Sequence, residues 1–525
     1  MLAFFYSFKE KYLKIFCLTF LLGFALYSPI AYQSLWNPDS LSRSVFVNDV
    51  IWVQQARWGC QLWEKFVRSY YIFPIMSMFI SVLLLAAITI VIINIFEIEN
   101  KIAQILIAVC VVASIQQIST MTYAYCGDEF TVAYFLAVCA AFFWNRNWSA
   151  GEKHTKNWLC GLMCMVMSLA MYQAYMEVTV VILGVMFVLK IFSEKKLVEC
   201  VKTFFMQVVF LGISVIVYYI SVRLSLIICH TQFSTYRDIE KMGKIDFSTI
   251  PSTVKNAYKS FYNYYFTNQL FNNSFRYKGL LNMIIMVCIL VLMVFLAIER
   301  RKNLNLSKCV ALMVCIILLP LGFNIVFFMT GTGVSFMMLP AIPYIYIILV
   351  ILIERACEDG KLVFAIKCMR IPIALMAYTS ILLANMLVLE LRLDINKASS
   401  IANSIDQSIK ANENYTRDTK VLIVGNYNKG NYESVYSNIF SETLGGTVSD
   451  FGQFWMGEGL GLANMNCWNH LFMQYCGSQY YMCSDEEYNK IVDSEEFANM
   501  DIYPQKDSIE MINDVLVIKL SDELY

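Results

Sequence analysis

Apolar residues in this chain form long unbroken runs separated by short polar stretches. The runs show neither the 3.6-residue period of a surface helix nor the alternation of a half-buried strand. A helix needs about 20 apolar residues to cross the hydrocarbon core of a bilayer, and on that ruler the runs predict about eleven spans. They fall at 12–32, 73–96, 101–119, 130–145, 157–174, 176–192, 203–229, 280–298, 308–329, 334–353 and 364–389. Lys9, Lys11 and Lys14 precede the apolar core of the first run, as in a signal peptide. It continues into Tyr27-Ser28-Pro29-Ile30-Ala31 without a small-residue cleavage site, however, and reads as a retained span.

From about residue 390 the pattern changes to one rich in Asn, Asp, Ser, Gly and Tyr. Val421-Leu422-Ile423-Val424-Gly425 reads as a buried strand entering a turn, and Val515–Leu520 as a second strand. Lys397–Gln407 has helical spacing. The expectation is an α-helical polytopic membrane domain over 1–389 and a small soluble α/β domain over 390–525.

Lysine and arginine orient this arrangement, because cytoplasmic loops carry an excess of them. With the N-terminus in the cytoplasm, Lys101, the 146–156 cluster, Lys195-Lys196, Arg300-Arg301-Lys302 and the 355–370 cluster all fall on the cytoplasmic side. The segments 33–72, 120–130 and 230–279 then lie on the outer face, and an odd span count makes the C-terminal domain extracytoplasmic. The expected location is the cell membrane, with the lipid bilayer as constant partner.

Composition agrees with this reading: 58% of the 525 residues are hydrophobic and 15% charged. Forty basic residues balance forty acidic ones without a dense basic tract, which argues against a nucleic-acid partner. Many of the seventeen cysteines sit in apolar runs, where the thiol behaves as a small hydrophobe, and the three histidines are far apart. A protein metal cage is therefore not expected. An outer-face location would allow one disulfide among Cys467, Cys476 and Cys483.

The candidate chemistry lies in the outer segments. Asp39 stands in Asn37-Pro38-Asp39-Ser40, just beyond the first span, and Arg57-Trp58 follows in the same segment. Asp128-Glu129 fills the short loop before the fourth span. There an acidic pair is either used in function or forms the first turn of the next helix. Met171-Tyr172-Gln173-Ala174-Tyr175-Met176-Glu177 breaks two apolar runs without Gly or Pro. An interfacial aromatic belt explains its tyrosines better than it explains Gln173 and Glu177. Arg223 lies inside an apolar run. In the tail, Trp455, Asn464, Asn466, Trp468, Asn469 and His470 fit either sugar contacts or a local aromatic core.

Asn37-Pro38-Asp39-Ser40, Ala56-Arg57-Trp58 and Ser168–Tyr175, with the overall layout, resemble the bacterial membrane glucosyl transferase family of the serotype-converting, O-antigen-modifying type. Relatives there tend to have glycine where this chain has Ala56, and an arginine beside a proline where this chain has Gly331–Pro340. The resemblance implies a GT-C-like glycosyltransferase. It would take a sugar, glucose by analogy, from a polyprenyl phosphate donor and pass it to a cell-envelope polysaccharide or its lipid-linked precursor at the outer face. It makes Asp39 the catalytic base and gives Asp128 and Glu129 the task of orienting the acceptor. Arg57 is then the first choice for the donor phosphate and Arg223 an alternative, with Trp58, Tyr172, Gln173, Tyr175 and Glu177 as substrate contacts. A divalent cation between the acids and the phosphate is compatible with this scheme but not required by it. The rival is a lipid-linked oligosaccharide flippase or polysaccharide polymerase. A flippase would line its interior with charges deep in the spans, where Arg223 is nearly the only one read from the sequence.

A cysteine introduced at Ser399 tests the orientation. It should add labelling by a membrane-impermeant maleimide on intact cells over the background of the unaltered chain, and labelling only after lysis would reverse the topology.

Overall fold

The computed structural model describes residues 2–35, 40–41, 50–149, 155–194, 196–234, 247–267, 277–330, 336–358, 360–425 and 461–522. A helix falls in each of the eleven expected ranges. Among the described residues, seven helices are long and apolar enough to cross a bilayer. The count becomes eight if the bent pair Lys101–Val112 and Ile115–Met121 forms one span. Eleven spans are therefore more than the helices themselves establish. Thr155–Met171 and Leu306–Gly322 have 17 residues each and Tyr344–Cys357 has 14. At 1.5 Å per residue they reach roughly 26 and 21 Å, against a hydrocarbon core of about 30 Å.

Burial separates two kinds of apolar helix. Every residue from Tyr344 to Ile353 is buried, so this helix is sheathed by other helices on all sides. Leu197–Ile228 is the opposite case. Its buried stripe is Cys200, Thr203, Gln207, Phe210, Ser214 and Tyr218, while Phe204, Phe205, Val208, Ile216 and Ile220 are exposed. Polar groups inward and bare apolar side chains outward suit a helix whose solvent is lipid. The second half of the bent pair, Ile115–Met121, buries Gln116, Gln117, Ser119 and Thr120, and so faces protein.

Charged groups tie off helix ends. Lys308 Nζ donates to the carbonyls of Asn303 at 2.7 Å and Ile191 at 3.4 Å, and also to that of Glu194, closing the C-terminus of Met176–Ser193. Lys278 is buried at the start of Tyr277–Glu299, with its ammonium 4.1 Å from the centre of the Tyr264 ring. The buried interior charges are thus more numerous than the sequence suggested. Glu177, Lys278 and Lys308 each lie in the first turn of a helix, not deep within a span.

The chain divides into two compact units. One comprises Met1–Ser28, Asn48–Met121 and Cys126–Asn385; the other gathers Pro29–Val47, Thr122–Tyr125 and Met386–Tyr525. The boundary expected at residue 390 falls inside an unbroken helix, Arg370–Ala411, which also contains the helical stretch read at 397–407.

In the second unit the two expected strands pair in parallel as β1 (Lys420–Val424) and β3 (Val515–Lys519). The strand β2 (Ile509–Ile512) runs antiparallel on the other edge of β3, giving the order β1-β3-β2. Asn513 and Asp514 both have positive φ, the two-residue turn that matches the twist of a tight hairpin. Val515 and Val517 of the central strand are buried against Leu422, Val424, Ile491, Phe497 and Met500, and Leu516 and Ile518 are buried as well. Lys519 Nζ caps the short helix Glu495–Asn499 through the carbonyls of Phe497, Ala498 and Met500 at 3.0–3.3 Å.

Trp468 and Asn469 belong to this core. The Asn469 amide both donates to Tyr480 O at 2.9 Å and accepts from Tyr480 N at 3.1 Å. His470 reaches the carbonyl of Leu41; a carbonyl only accepts, so Nδ1 carries the proton, and burial holds the imidazole pKa below its ordinary value. Ser40 Oγ accepts from Ala124 N at 3.1 Å, joining the other two segments of the unit. Trp455 lies outside the described residues, and none of the seventeen cysteines is joined in a disulfide, Cys467, Cys476 and Cys483 included.

Gly425 follows β1 at φ +93°, and a Cβ there would lie 2.6 Å from Ser521 N. Gly425→Ala should lower the stability of the C-terminal unit by about 2 kcal/mol or more through backbone strain and this clash, read as earlier proteolysis on heating. Unchanged resistance would show that the turn can relax.

Candidate active site

The site begins at a strained turn in the first unit. Ala56 adopts φ +60°, a left-handed conformation that costs an L-residue roughly 1–2 kcal/mol relative to glycine. Two side chains hold its carbonyl, half-buried Gln173 through Nε2 at 3.2 Å and the buried Tyr218 hydroxyl at 2.8 Å, and Gln173 also donates to that hydroxyl at 2.8 Å. The next helix, Trp58–Trp63, is fixed at both faces. Trp58 Nε1 donates to Ser221 Oγ at 3.0 Å, and Gly59 sits so close to the end of Thr155–Met171 that a Cβ would meet Ala170 O at 3.0 Å.

This turn directs Arg57 into an aromatic cage. Its guanidinium carbon lies 4.6 Å from the centre of the Tyr172 ring, 5.7 Å from Trp52 and 6.0 Å from Phe130. Tyr172 and Phe130 stack on each other at 4.3 Å. Among the described residues no carboxylate pairs with Arg57, and its buried Nε has no hydrogen-bond partner. Among the described residues this half-buried guanidinium is supported by ring faces alone, which leaves its charge open to an anion.

Beside the cage lies a buried ionic cluster. Trp58–Trp63 runs into a widened turn, Glu64–Arg68, that places Glu64 3.6 Å from the Arg68 guanidinium. Arg68 is 2% exposed; it lies 3.4 Å from Asp128 and pairs directly with Glu129, both on the first turn of Gly127–Ser149. Asp128 is further bound by Trp63 Nε1 at 2.7 Å and Ser77 Oγ at 2.8 Å. Trp52 joins the two parts, because the ring beneath Arg57 also donates Nε1 to Glu64 Oε1 at 2.7 Å. Burial pushes the Cys60 thiol well above its usual range, and Arg57, Glu64 and Arg68 are all near enough to act on it.

Against known proteins, the family model described as Glucosyl transferase GtrII matches residues 28–354, more than half of the chain. The chain belongs to the GtrII glucosyl transferase family. No curated protein and no solved structure matches it. Membership makes it a membrane glycosyltransferase with a sugar donor and a sugar acceptor. The match contains the whole cage and ionic cluster and ends before the C-terminal sheet.

Of the GtrII candidates drawn from sequence, Arg57, Trp58, Tyr172, Gln173, Asp128 and Glu129 come together here. Tyr175 and Glu177 stand behind the cage. Tyr175 stacks on Tyr134 at 5.4 Å, and Glu177 Oε1 accepts from Val326 N at 3.0 Å. Arg223 is on the exposed side of Leu197–Ile228, away from the face carrying Tyr218, with its guanidinium 5.8 Å from the Phe233 ring. Asp39 and the 331–335 part of Gly331–Pro340 lie outside the described residues. Among the described residues no group of three or more His, Cys, Asp or Glu is arranged to hold a metal ion. Sequence reasoning passed over Arg68, Glu64, Trp52, Trp63 and Tyr218. The one local signal was the Glu64/Arg68 spacing of four.

Ala56→Gly should relieve the turn and raise thermal stability in detergent by about 1 kcal/mol with the site intact, whereas Gln173→Leu should lower it by about 1–3 kcal/mol. A destabilised Ala56→Gly protein would show that the methyl group's packing outweighs the backbone strain.

Proposed function

We propose that this chain moves glucose from a polyprenyl phosphate donor to a hydroxyl of a cell-envelope polysaccharide, or of its lipid-linked precursor, at the outer face of the cell membrane. The observation that carries this is Arg57, a caged guanidinium without an acid partner among the described residues and next to a cluster already rich in carboxylates. A phosphate monoester is the leaving group of such a transfer, and it needs charge stabilisation more than protonation. An arginine fork can hold two of its oxygens at once.

In the reaction an acceptor hydroxyl attacks the anomeric carbon and gives up its proton to a carboxylate. The new glycosidic bond forms as the bond from that carbon to the phosphate oxygen breaks, and the electron pair leaves with the polyprenyl phosphate. Asp39 is the proposed base, a role typically worth 10² to 10⁴ in rate. The second unit, which gathers 29–47, 122–125 and the C-terminal sheet, supports placing these segments on one side of the membrane, as the lysine and arginine pattern does. The lysine and arginine pattern supports an N-terminus in the cytoplasm and an extracytoplasmic C-terminal domain over 390–525, and family membership supports modification of O-antigen as the biological setting.

In membranes supplied with polyprenyl phosphoryl glucose, Arg57→Ala should raise the donor KM at least tenfold, and Asp39→Asn should lower kcat by about 10² or more with donor KM unchanged. Unaltered donor dependence in the arginine variant would remove Arg57 from the phosphate site.

A further inference from the structure

We propose that Glu129 accepts a hydrogen bond from a hydroxyl of the transferred sugar and so selects the donor's sugar, with Arg68 and Asp128 as positioning residues. The proposal rests on the donor-phosphate reading of Arg57.

The two adjacent acids differ in what remains free. Asp128 is occupied by Trp63, Ser77 and Arg68, across both of its oxygens. Glu129 is fully buried and uses Oε1 for Arg68, while Oε2 has no hydrogen-bond partner among the described residues. A buried carboxylate oxygen left without a donor carries a desolvation penalty of about 1–3 kcal/mol or more, which a ligand hydroxyl would cancel. The oxygen is acceptor-only, so it repels a phosphate and attracts a hydroxyl. Arg68 already supplies the local cation, and no metal-binding group is present among the described residues.

Proximity to the cage decides which hydroxyl. Phe130, a wall of the Arg57 cage, is the next residue along the same helix turn. Trp52 forms another wall and also binds Glu64 of the ionic cluster. A phosphate on Arg57 carries both its glucosyl group and its polyprenyl chain as direct substituents, and of the two only the glucosyl group has hydroxyls to donate to Glu129.

Full-length protein in phospholipid vesicles, with an envelope polysaccharide supplied as acceptor, is assayed for release of polyprenyl phosphate from polyprenyl phosphoryl glucose and from its 2-, 3-, 4- and 6-deoxy analogues. The unaltered protein should discriminate against at least one analogue by about 10²-fold in kcat/KM, as expected when a buried acceptor is left unpaired. Glu129→Gln should shrink that discrimination to tenfold or less by slowing the natural donor most. If Glu129→Gln does not accumulate, Glu129→Asp serves, since it keeps the charge for Arg68 and withdraws the oxygen by one methylene. A discrimination pattern unchanged in the Glu129 variant overturns this inference alone. An unaltered protein that releases no polyprenyl phosphate from the glucosyl donor overturns the donor reading and this inference with it.

Discussion

The arrangement depends on Arg68, a guanidinium with almost no access to water, and on the carboxylates of Glu64, Asp128 and Glu129 around it. Burying an ion costs several kcal/mol even after relaxation, and removing one partner from a buried pair typically costs 3–5 kcal/mol more. The cluster therefore has one satisfactory geometry, and reaching it requires three pieces of chain to meet. These are the widened turn 64–68, the first turn of Gly127–Ser149 and, through Ser77, the start of Pro74–Ile95. The acids of 128–129 are first-turn helix residues and site residues at once. The helix dipole supports their charge while Arg68 fixes their direction.

That anchoring gives the neighbouring turn its role. A left-handed alanine is unfavourable in itself and persists because Gln173 and Tyr218 hold its carbonyl. The resemblance to relatives with glycine at this position acquires a physical reason, because φ +60° is where glycine carries no steric penalty. With the turn fixed, Arg57 has nowhere to go but among Tyr172, Trp52 and Phe130. The cage and the cluster share Trp52, so disturbing either should be felt by the other.

Much of this was legible in the sequence, and the failures have identifiable causes. Tyr172, Gln173 and Arg57 stood out because polar groups interrupted apolar runs, and the strands at 420–424 and 515–519 because β-branched runs ended in turns. Arg68 did not stand out, since its stretch, Trp63 to Arg68, is ordinary mixed polarity and its main partners are sixty residues away. The span count goes beyond what the helices establish because hydropathy records that a helix avoids water without recording whether lipid or protein surrounds it, as Tyr344–Cys357 shows. Arg223 looked buried for the same reason, yet its position in an apolar run is on the exposed side of the helix.

A glucosyl transferase and a flippase share a lipid-linked sugar substrate and differ in whether a bond is broken. The most direct measurement follows purified full-length protein in vesicles with polyprenyl phosphoryl glucose carrying separate labels on sugar and lipid, plus an envelope polysaccharide acceptor. The account predicts that the sugar label passes to polysaccharide with release of an equal amount of polyprenyl phosphate. Sugar and lipid labels that cross the bilayer still joined, with no polyprenyl phosphate released, would contradict it.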